Sequence, residues 1–249
     1  MEGDGDFRSA EAVRLLEQAD IVVTNPPFSL FREYIAQLIG HNKKFIILAN
    51  QNAITLKEIF PLLKEGKMWL GANSGDMSFK VPAHYQERKT RFWIDATGQK
   101  WRSFGNMCWF TNLDYKKRYE DLILYKTYSP GEFPTYDNFD AIEVGTVAKI
   151  PKDYKGVMGV TPGFFAKHNP EQFEIVGITK TWFGAATKTY PQQEQVSPNG
   201  NVSRVGKLND GAVIKVATPP PSKTYYKVED GYFTQTYPRV LIRNKKVED

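Results

Sequence analysis

In the first third of the chain, short continuous apolar runs alternate with stretches whose apolar positions recur at helical spacing. Ser9 stands where it can cap a short helix carrying Val13, Leu15, Leu16 and Ala19 on one side. Asp20-Ile21-Val22-Val23-Thr24 follows, a β-branched run of the kind found in strands buried on both faces. Asn25-Pro26-Pro27-Phe28 ends it, because proline cannot donate to a sheet ladder. Ser29 is placed to cap a second helix, with Leu30, Phe31, Tyr34, Ile35, Leu38 and Ile39 at helical spacing and Gly40 at its end. The unit then repeats. Phe45-Ile46-Ile47-Leu48-Ala49 reads as a second buried strand, with Asn50-Gln51-Asn52 at its C-terminal end. Thr55-Leu56-Lys57-Glu58 has capping-box spacing and predicts a helix through Ile59, Phe60, Leu62 and Leu63 to Gly66. Strand and helix alternating over short links predict an α/β fold with a parallel sheet and right-handed crossovers.

Further along the pattern changes. Arg91-Phe92-Trp93-Ile94-Asp95 and the run from Trp101 to Thr111 flank Ala96-Thr97-Gly98-Gln99, a hairpin signal that adds an antiparallel pair to the sheet. Lys116-Lys117-Arg118 marks a solvated exit, and residues 129–138 have the turn chemistry of a linker. Beyond them, short apolar runs at 141–148, 157–160, 173–178, 212–217 and 239–242 dominate, with polar stretches at 190–204 and 218–224. Two parts are therefore expected: residues 1–128, α/β, and residues 129–249, mostly β with long loops.

Composition adds limits. Apolar residues make up 41% and aromatics 14% of 249, enough for a substantial core. No apolar run approaches the roughly 18 residues of a membrane span. The start, Met1-Glu2-Gly3-Asp4-Gly5-Asp6, is acidic where a signal peptide is basic and then apolar, and a cytoplasmic protein without a membrane partner is expected. The single cysteine, Cys108, excludes an internal disulfide and reads as a core residue among Met107, Trp109 and Phe110. His41, His84 and His168 are isolated from one another, so no metal site is expected. The net charge of +5 is compatible with a polyanionic partner without requiring one.

The candidate chemistry lies at Asn25-Pro26-Pro27-Phe28, at the carboxyl end of an expected parallel strand, where open α/β sheets bind ligands. Two prolines stiffen the loop and leave carbonyls without competing amide donors. An asparagine carboxamide beside such a carbonyl forms an acceptor pair suited to a planar exocyclic amine, and the following aromatic ring can stack on the base that carries it. The adenine amine is a poor nucleophile because its lone pair is delocalised. Two acceptors, the Asn25 side chain and the Pro26 carbonyl, can draw its hydrogens toward a geometry that frees that pair for a methyl sulfonium, with most acceleration from positioning. A base in a duplex must first be flipped out, with Phe28 as one wall of its pocket. The plain alternative is a rigid strand-to-helix turn.

The segment from Ala19 to Phe28 resembles the catalytic motif of amino-methylating, S-adenosylmethionine-dependent methyltransferases. Ser29 to Tyr34, Lys44 to Phe60, Trp69-Leu70-Gly71, Gly105 to Asn112, Tyr136 to Ile142, Gly156 to Val160, Asn169 to Ile175 and Arg239 to Arg243 resemble the EcoRI-type adenine-specific DNA methyltransferase family. The resemblance implies N6-methylation of adenine in double-stranded DNA, a Rossmann-like sheet followed by a β-rich target-recognition region, and S-adenosyl-L-methionine as donor. Asn25, Pro26, Pro27 and Phe28 would form the catalytic loop. Gly3-Asp4-Gly5-Asp6-Phe7 is similar to the family's segment after the third strand, so Asp6 and Phe7 would contact the donor's adenine, against a plain reading as a solvated acid and a hydrophobic staple. Only a short stretch precedes Asn25, and Gly3 and Gly5 follow no strand, so an N-terminally incomplete sheet without its donor-binding glycine turn is expected. Weak donor binding follows from that, inactivity of the isolated chain stays open, and so do two further partners: a separate N-terminal polypeptide and a cognate restriction endonuclease. The rivals are a non-catalytic DNA-binding remnant and a methyltransferase of RNA or a protein glutamine amide. Asn50 and Asn52 could line the target pocket, with loop capping as the safer reading. In the second part, Gln192, Gln193, Gln195, Asn199, Asn201 and Arg204 offer base-edge chemistry. The basic clusters at 43–44, 88–91, 116–118 and 243–246 read first as solvated surface, and the resemblance implies that one or two of them touch DNA without saying which.

Overall fold

Alternation of helix and strand over short links produces the first of two units into which the chain divides, Met1–Tyr115 and Lys116–Asp249. The structure, a computed structural model, describes residues 5–229 and 231–247; Gly3 and Asp4 of the candidate donor segment lie outside the described residues. Among the described residues no helix is long and apolar enough to cross a membrane.

In the first unit, α1 (Ala10–Gln18) starts at Ser9, whose hydroxyl accepts from the Ala12 amide at 3.2 Å, the expected cap. β1 (Ile21–Thr24) leads through a 3-10 turn at Phe28–Leu30 into α2 (Phe31–Gly40). β2 (Lys44–Asn50), a 3-10 turn and the short α3 (Phe60–Lys64) follow, then β3 (Trp69–Lys80), β4 (Phe92–Ile94) and β5 (Lys100–Thr111). The sheet order is β1-β2-β5-β3, with β4 paired to β5. β1 and β2 are parallel and the other pairs antiparallel, so the unit is α/β with a mixed sheet. Its core is Phe31, Ile35 and Leu38 of α2 against Phe45 and Ile47 of β2, with Ile54, Ile59, Phe60 and Phe110.

Four local expectations give way here. β1 is an edge strand, not one buried on both faces: it pairs with β2 alone, and Ile21 and Val23 are 50% and 67% exposed. Ser29 does not cap α2. It lies inside the turn, and the helix begins from Leu30, whose amide bonds the Pro27 carbonyl at 2.9 Å. The capping box does not form, because Leu56 is extended (ψ 142°); the Thr55 hydroxyl donates to the Asn52 carbonyl and Glu58 pairs with Arg32. β3 carried no strand signal, its Gly71-Ala72-Asn73-Ser74-Gly75 being small and polar. It nevertheless pairs along β5, and a Cβ on Gly71 would come within 2.9 Å of the Trp109 Cβ.

The second unit is β-rich, and no α-helix occurs among its described residues. Its strands are β6 (Ile142–Glu143), β7 (Met158–Val160), β8 (Phe173–Ile178), β9 (Glu194–Val196), β10 (Val202–Arg204), β11 (Val213–Val216), β12 (Tyr225–Val228), β13 (Gly231–Gln235) and β14 (Val240–Asn244). They form two sheets, β6-β7-β14-β8 and β10-β9-β12-β13-β11. One core cluster joins Tyr136, Phe139, Ala141, Ala212 and Leu241, and another joins Tyr190, Leu208, Val213, Tyr226 and Phe233.

Residues 116–128, grouped with the first part by the sequence, belong to this unit. The Leu122 amide donates to the Gln172 side chain at 2.7 Å, that side chain donates back to the Leu122 carbonyl at 2.9 Å, and the Tyr128 amide bonds Asp153 at 2.8 Å. Residues 129–138 are an ordered loop rather than a linker. Phe133 and Tyr136 are buried, and buried Asn138 bonds the Gly211 carbonyl and the Val213 amide, each at 2.9 Å.

Candidate active site

Pairing of Thr24 with Ile47 puts the carboxyl ends of β1 and β2 at one rim of the sheet, so Asn25 and Asn50 both lie there. Pro26 and Pro27 supply no amide donor, which stops the ladder at Thr24. The Pro27 carbonyl is spent on the Leu30 amide, locking the loop to the start of α2. The Pro26 carbonyl and the Asn25 carboxamide have no hydrogen-bond partner among the described residues, although the Pro26 ring is buried and Asn25 is exposed. The turn therefore leaves two acceptors without an internal partner on a stiff backbone. Phe28 is 51% exposed.

Asn25, Pro26 and Pro27 line an open cavity of about 760 Å3 together with Asp6, Phe7, Leu15, Leu30 and Tyr34. The structure thus brings five of the six candidate residues to one cavity; Phe28 lies outside its lining. Tyr34 and Leu15 were missed as lining residues. Helical spacing assigned them to a core face, and no sequence signal separates a core face from a cavity wall. Asp6 accepts from the Arg8 backbone amide at 2.8 Å and from its guanidinium at 2.7 Å, which holds its carboxyl down at about 2 and keeps it ionised. Arg8 also reaches Glu33 at 3.1 Å. Phe7 packs edge-on against Tyr34, ring centroids 4.9 Å apart, and burial raises the Tyr34 phenol pKa. An apolar wall, a fixed carboxylate and a carboxamide therefore share one cavity.

Other candidates separate into structural and exposed groups. Asn50 caps the following turn by accepting from the Asn52 amide at 2.9 Å, the plainer of its two readings. Gln193 is removed from the base-readout set. It is buried, donates to the Tyr190 carbonyl at 2.8 Å and accepts from the Leu208 amide at 2.9 Å. Gln192 and Arg204 line a second cavity of about 580 Å3 with Lys227 and Glu229, while Asn199 and Asn201 are exposed between β9 and β10. Lys43 is spent on the Glu17 and Ala19 carbonyls, Arg243 on Glu174 and Lys246 on Asp121. Cys108 is fully buried, and burial pushes its thiol up to about 12, so it is a packing residue.

A family model described as adenine-specific methyltransferase EcoRI matches residues 1–245. The chain belongs to this family. The Type II methyltransferase M.EcoRI of Escherichia coli is 53% identical to it over 182 residues, covering 72% of this chain and 56% of that protein. M.MgeORF184P of Mycoplasma genitalium is 40% identical over 223 residues, 87% of this chain and 66% of the relative. M.MpnI of Mycoplasma pneumoniae is 38% identical over 179 residues, 70% and 56% of the respective chains. The chain spans between 56% and 66% of the length of these EcoRI-family relatives. No solved structure matches it. Membership of the EcoRI methyltransferase family agrees with the resemblance read from the sequence, and it implies a methyl donor of the S-adenosylmethionine type.

Proposed function

We propose that this chain carries the catalytic loop of an adenine-specific DNA methyltransferase, in a first unit of Rossmann-like descent, and that its second unit serves target recognition in duplex DNA. The observation that carries the reading is the pair of unpartnered acceptors, Asn25 and the Pro26 carbonyl, on a proline-stiffened turn opening into the cavity that also holds Asp6 and Phe7. In this reading Asn25 Oδ1 and the Pro26 carbonyl accept the two hydrogens of a flipped adenine amine. That draws the nitrogen toward pyramidal geometry and localises its lone pair. S-adenosyl-L-methionine, when bound, supplies an electrophilic methyl group on a sulfonium. Pro27 keeps the loop in register through the Leu30 amide, and exposed Phe28 stacks on the base. Asp6 and Phe7, with the apolar wall, hold the donor's adenosyl end. No strong base is required, because the proton leaves only after the nitrogen has become cationic. The acceleration comes from orientation and fixed dipoles.

The test is methyl transfer from labelled S-adenosylmethionine to duplex DNA, with N6-methyladenine identified by mass spectrometry of the nucleosides. Asn25→Ala is expected to lower transfer by at least a hundredfold, about 2.7 kcal/mol of transition-state stabilisation, while DNA affinity stays within about twofold. An Asn25→Ala chain that still methylates would refute the assigned role. DNA binding by the native chain with no transfer even at donor concentrations that saturate a weak site would instead favour the non-catalytic reading.

A further inference from the structure

β3 and β5 do not stop where β1 and β2 stop. β2 pairs with β5 from Ile46–Thr111 to Asn50–Met107, and there β2 ends. β3 and β5 continue together from Met77–Phe104 to Lys80–Trp101, and β4 joins on the other side of β5 from Phe92–Arg102 to Ile94–Lys100. Register alone therefore makes a three-stranded arm that projects past the carboxyl rim on which Asn25 and Asn50 lie. The chemistry proposed above makes no use of it.

The arm and its connections, residues 76–105, hold Lys80, Arg88, Lys89, Arg91, Lys100 and Arg102 against three acids, Asp76, Glu87 and Asp95. Two of those acids are committed. Asp76 pairs with Arg91 at 3.4 Å, and Asp95 accepts from Thr97, Gln99 and the Trp101 indole, the last at 2.8 Å. Arg88 and Lys89 are exposed on the β3–β4 connection, and neither has an ion pair among the described residues. On one face Lys80, Trp101 and Trp93 form a row across the three strands. The indoles lie parallel at 6.2 Å with an interplanar angle of 3°, and the Lys80 ammonium sits 5.6 Å from the Trp101 ring. Trp93 is 42% exposed. The row thus sets two parallel indoles beside the Lys80 ammonium. Within the arm, Arg91 is held by Asp76, Lys100 by the Tyr85 carbonyl at 3.1 Å and Arg102 by the Thr90 carbonyl at 2.6 Å, which leaves Lys80, Arg88 and Lys89 as its cations without an ion pair or a carbonyl partner among the described residues.

We infer that this arm is a duplex-DNA contact surface, with Lys80, Arg88 and Lys89 gripping backbone phosphates beside the site where the target base is presented. The inference rests on the methyltransferase reading for the identity of its ligand. Its own support is charge complementarity to a polyanion and its place at the rim that the substrate must approach.

The experiment measures binding of the full chain to a fluorescently labelled random-sequence duplex by anisotropy between 50 and 200 mM salt. K80Q/R88Q/K89Q is expected to weaken binding about tenfold or more at 100 mM salt and to reduce the log–log salt slope by about two to three. A matched control removes the same charge at the opposite rim, K44Q/K64Q/K67Q, and is expected to change affinity less than threefold. All six side chains are exposed, and thermal melts of both variants check that the fold is kept. Equal losses in the two variants would reduce the effect to net charge, and unchanged binding in the arm variant would remove the arm from the interface; either result overturns the inference while the methyltransferase reading stands. A native chain that binds no duplex at any salt overturns both.

Discussion

At the scale of single residues, burial decides more than charge. His168 lies between Phe164 and Phe165, ring centroids 5.6 and 5.9 Å away, with one ring nitrogen 3.1 Å from the Phe173 carbonyl. Loss of solvent lowers its pKa to about 4, outweighing that hydrogen bond, while Arg118 and Lys245 push in the same direction as burial. The folded state keeps the ring neutral where the unfolded chain, with a pKa near 6.5, takes up a proton. Stability from this residue is thus complete above about pH 6.5, declines as pH falls toward 4 and is level below that, a total of about 3 kcal/mol. Urea unfolding at pH 7 and pH 4.5 should show a smaller acid-induced loss for His168→Gln than for the native chain. Identical losses would mean that His168 does not titrate in this window. Ser9 and Cys108 were legible as a cap and a core residue because each depends on its immediate neighbours in sequence. Gln193 was not, since its partners, Tyr190 and Leu208, are brought to it by the fold.

At the scale of elements, the second unit ties β6 to β14 through a buried ion pair. Arg239, just before β14, bonds both carboxylate oxygens of Glu143 at 2.7 to 3.1 Å, the two side chains being 11% and 12% exposed. The Tyr136 hydroxyl donates to the same carboxylate. Arg239→Met should cost about 3–5 kcal/mol in denaturant unfolding, because it strands a buried carboxylate. Replacing Glu143 by Leu as well should recover much of that. A single variant within about 1 kcal/mol of native would show that Glu143 reaches water when unpaired. The apolar runs at 157–160, 173–178, 212–217 and 239–242 foretold β7, β8, β11 and β14, since strands buried in a core carry continuous apolar signal. β9 and β10 fell in a stretch read as a polar loop. Their residues are half or fully exposed, and hairpin pairing, not burial, makes them strands.

At the scale of the whole molecule, each unit has its own buried cluster, and the division lies between Tyr115 and Lys116. Two calorimetric transitions are therefore expected, because a core that is complete within one unit can melt without the other. Arg239→Met should lower only one of them. A single transition, with van't Hoff and calorimetric enthalpies equal, would exclude independent melting. The sequence placed the division at 128 because Pro130 and Gly131 carry turn chemistry. Turn chemistry reports that the chain bends, and it bends here inside a packed unit.

The turn at Asn25 to Phe28 was determined by the sequence itself: proline's fixed φ and missing amide act at the residue that carries them, whatever surrounds it. The α/β character of the first unit followed in the same way from the spacing of apolar residues. Tertiary structure alone decided that β1 is an open edge, that Asp6 and Phe7 reach the cavity in front of Asn25, and that β3 and β5 extend beyond the rim. Exposure, convergence and reach depend on which distant segments come to lie alongside, and no local pattern of side chains carries that information.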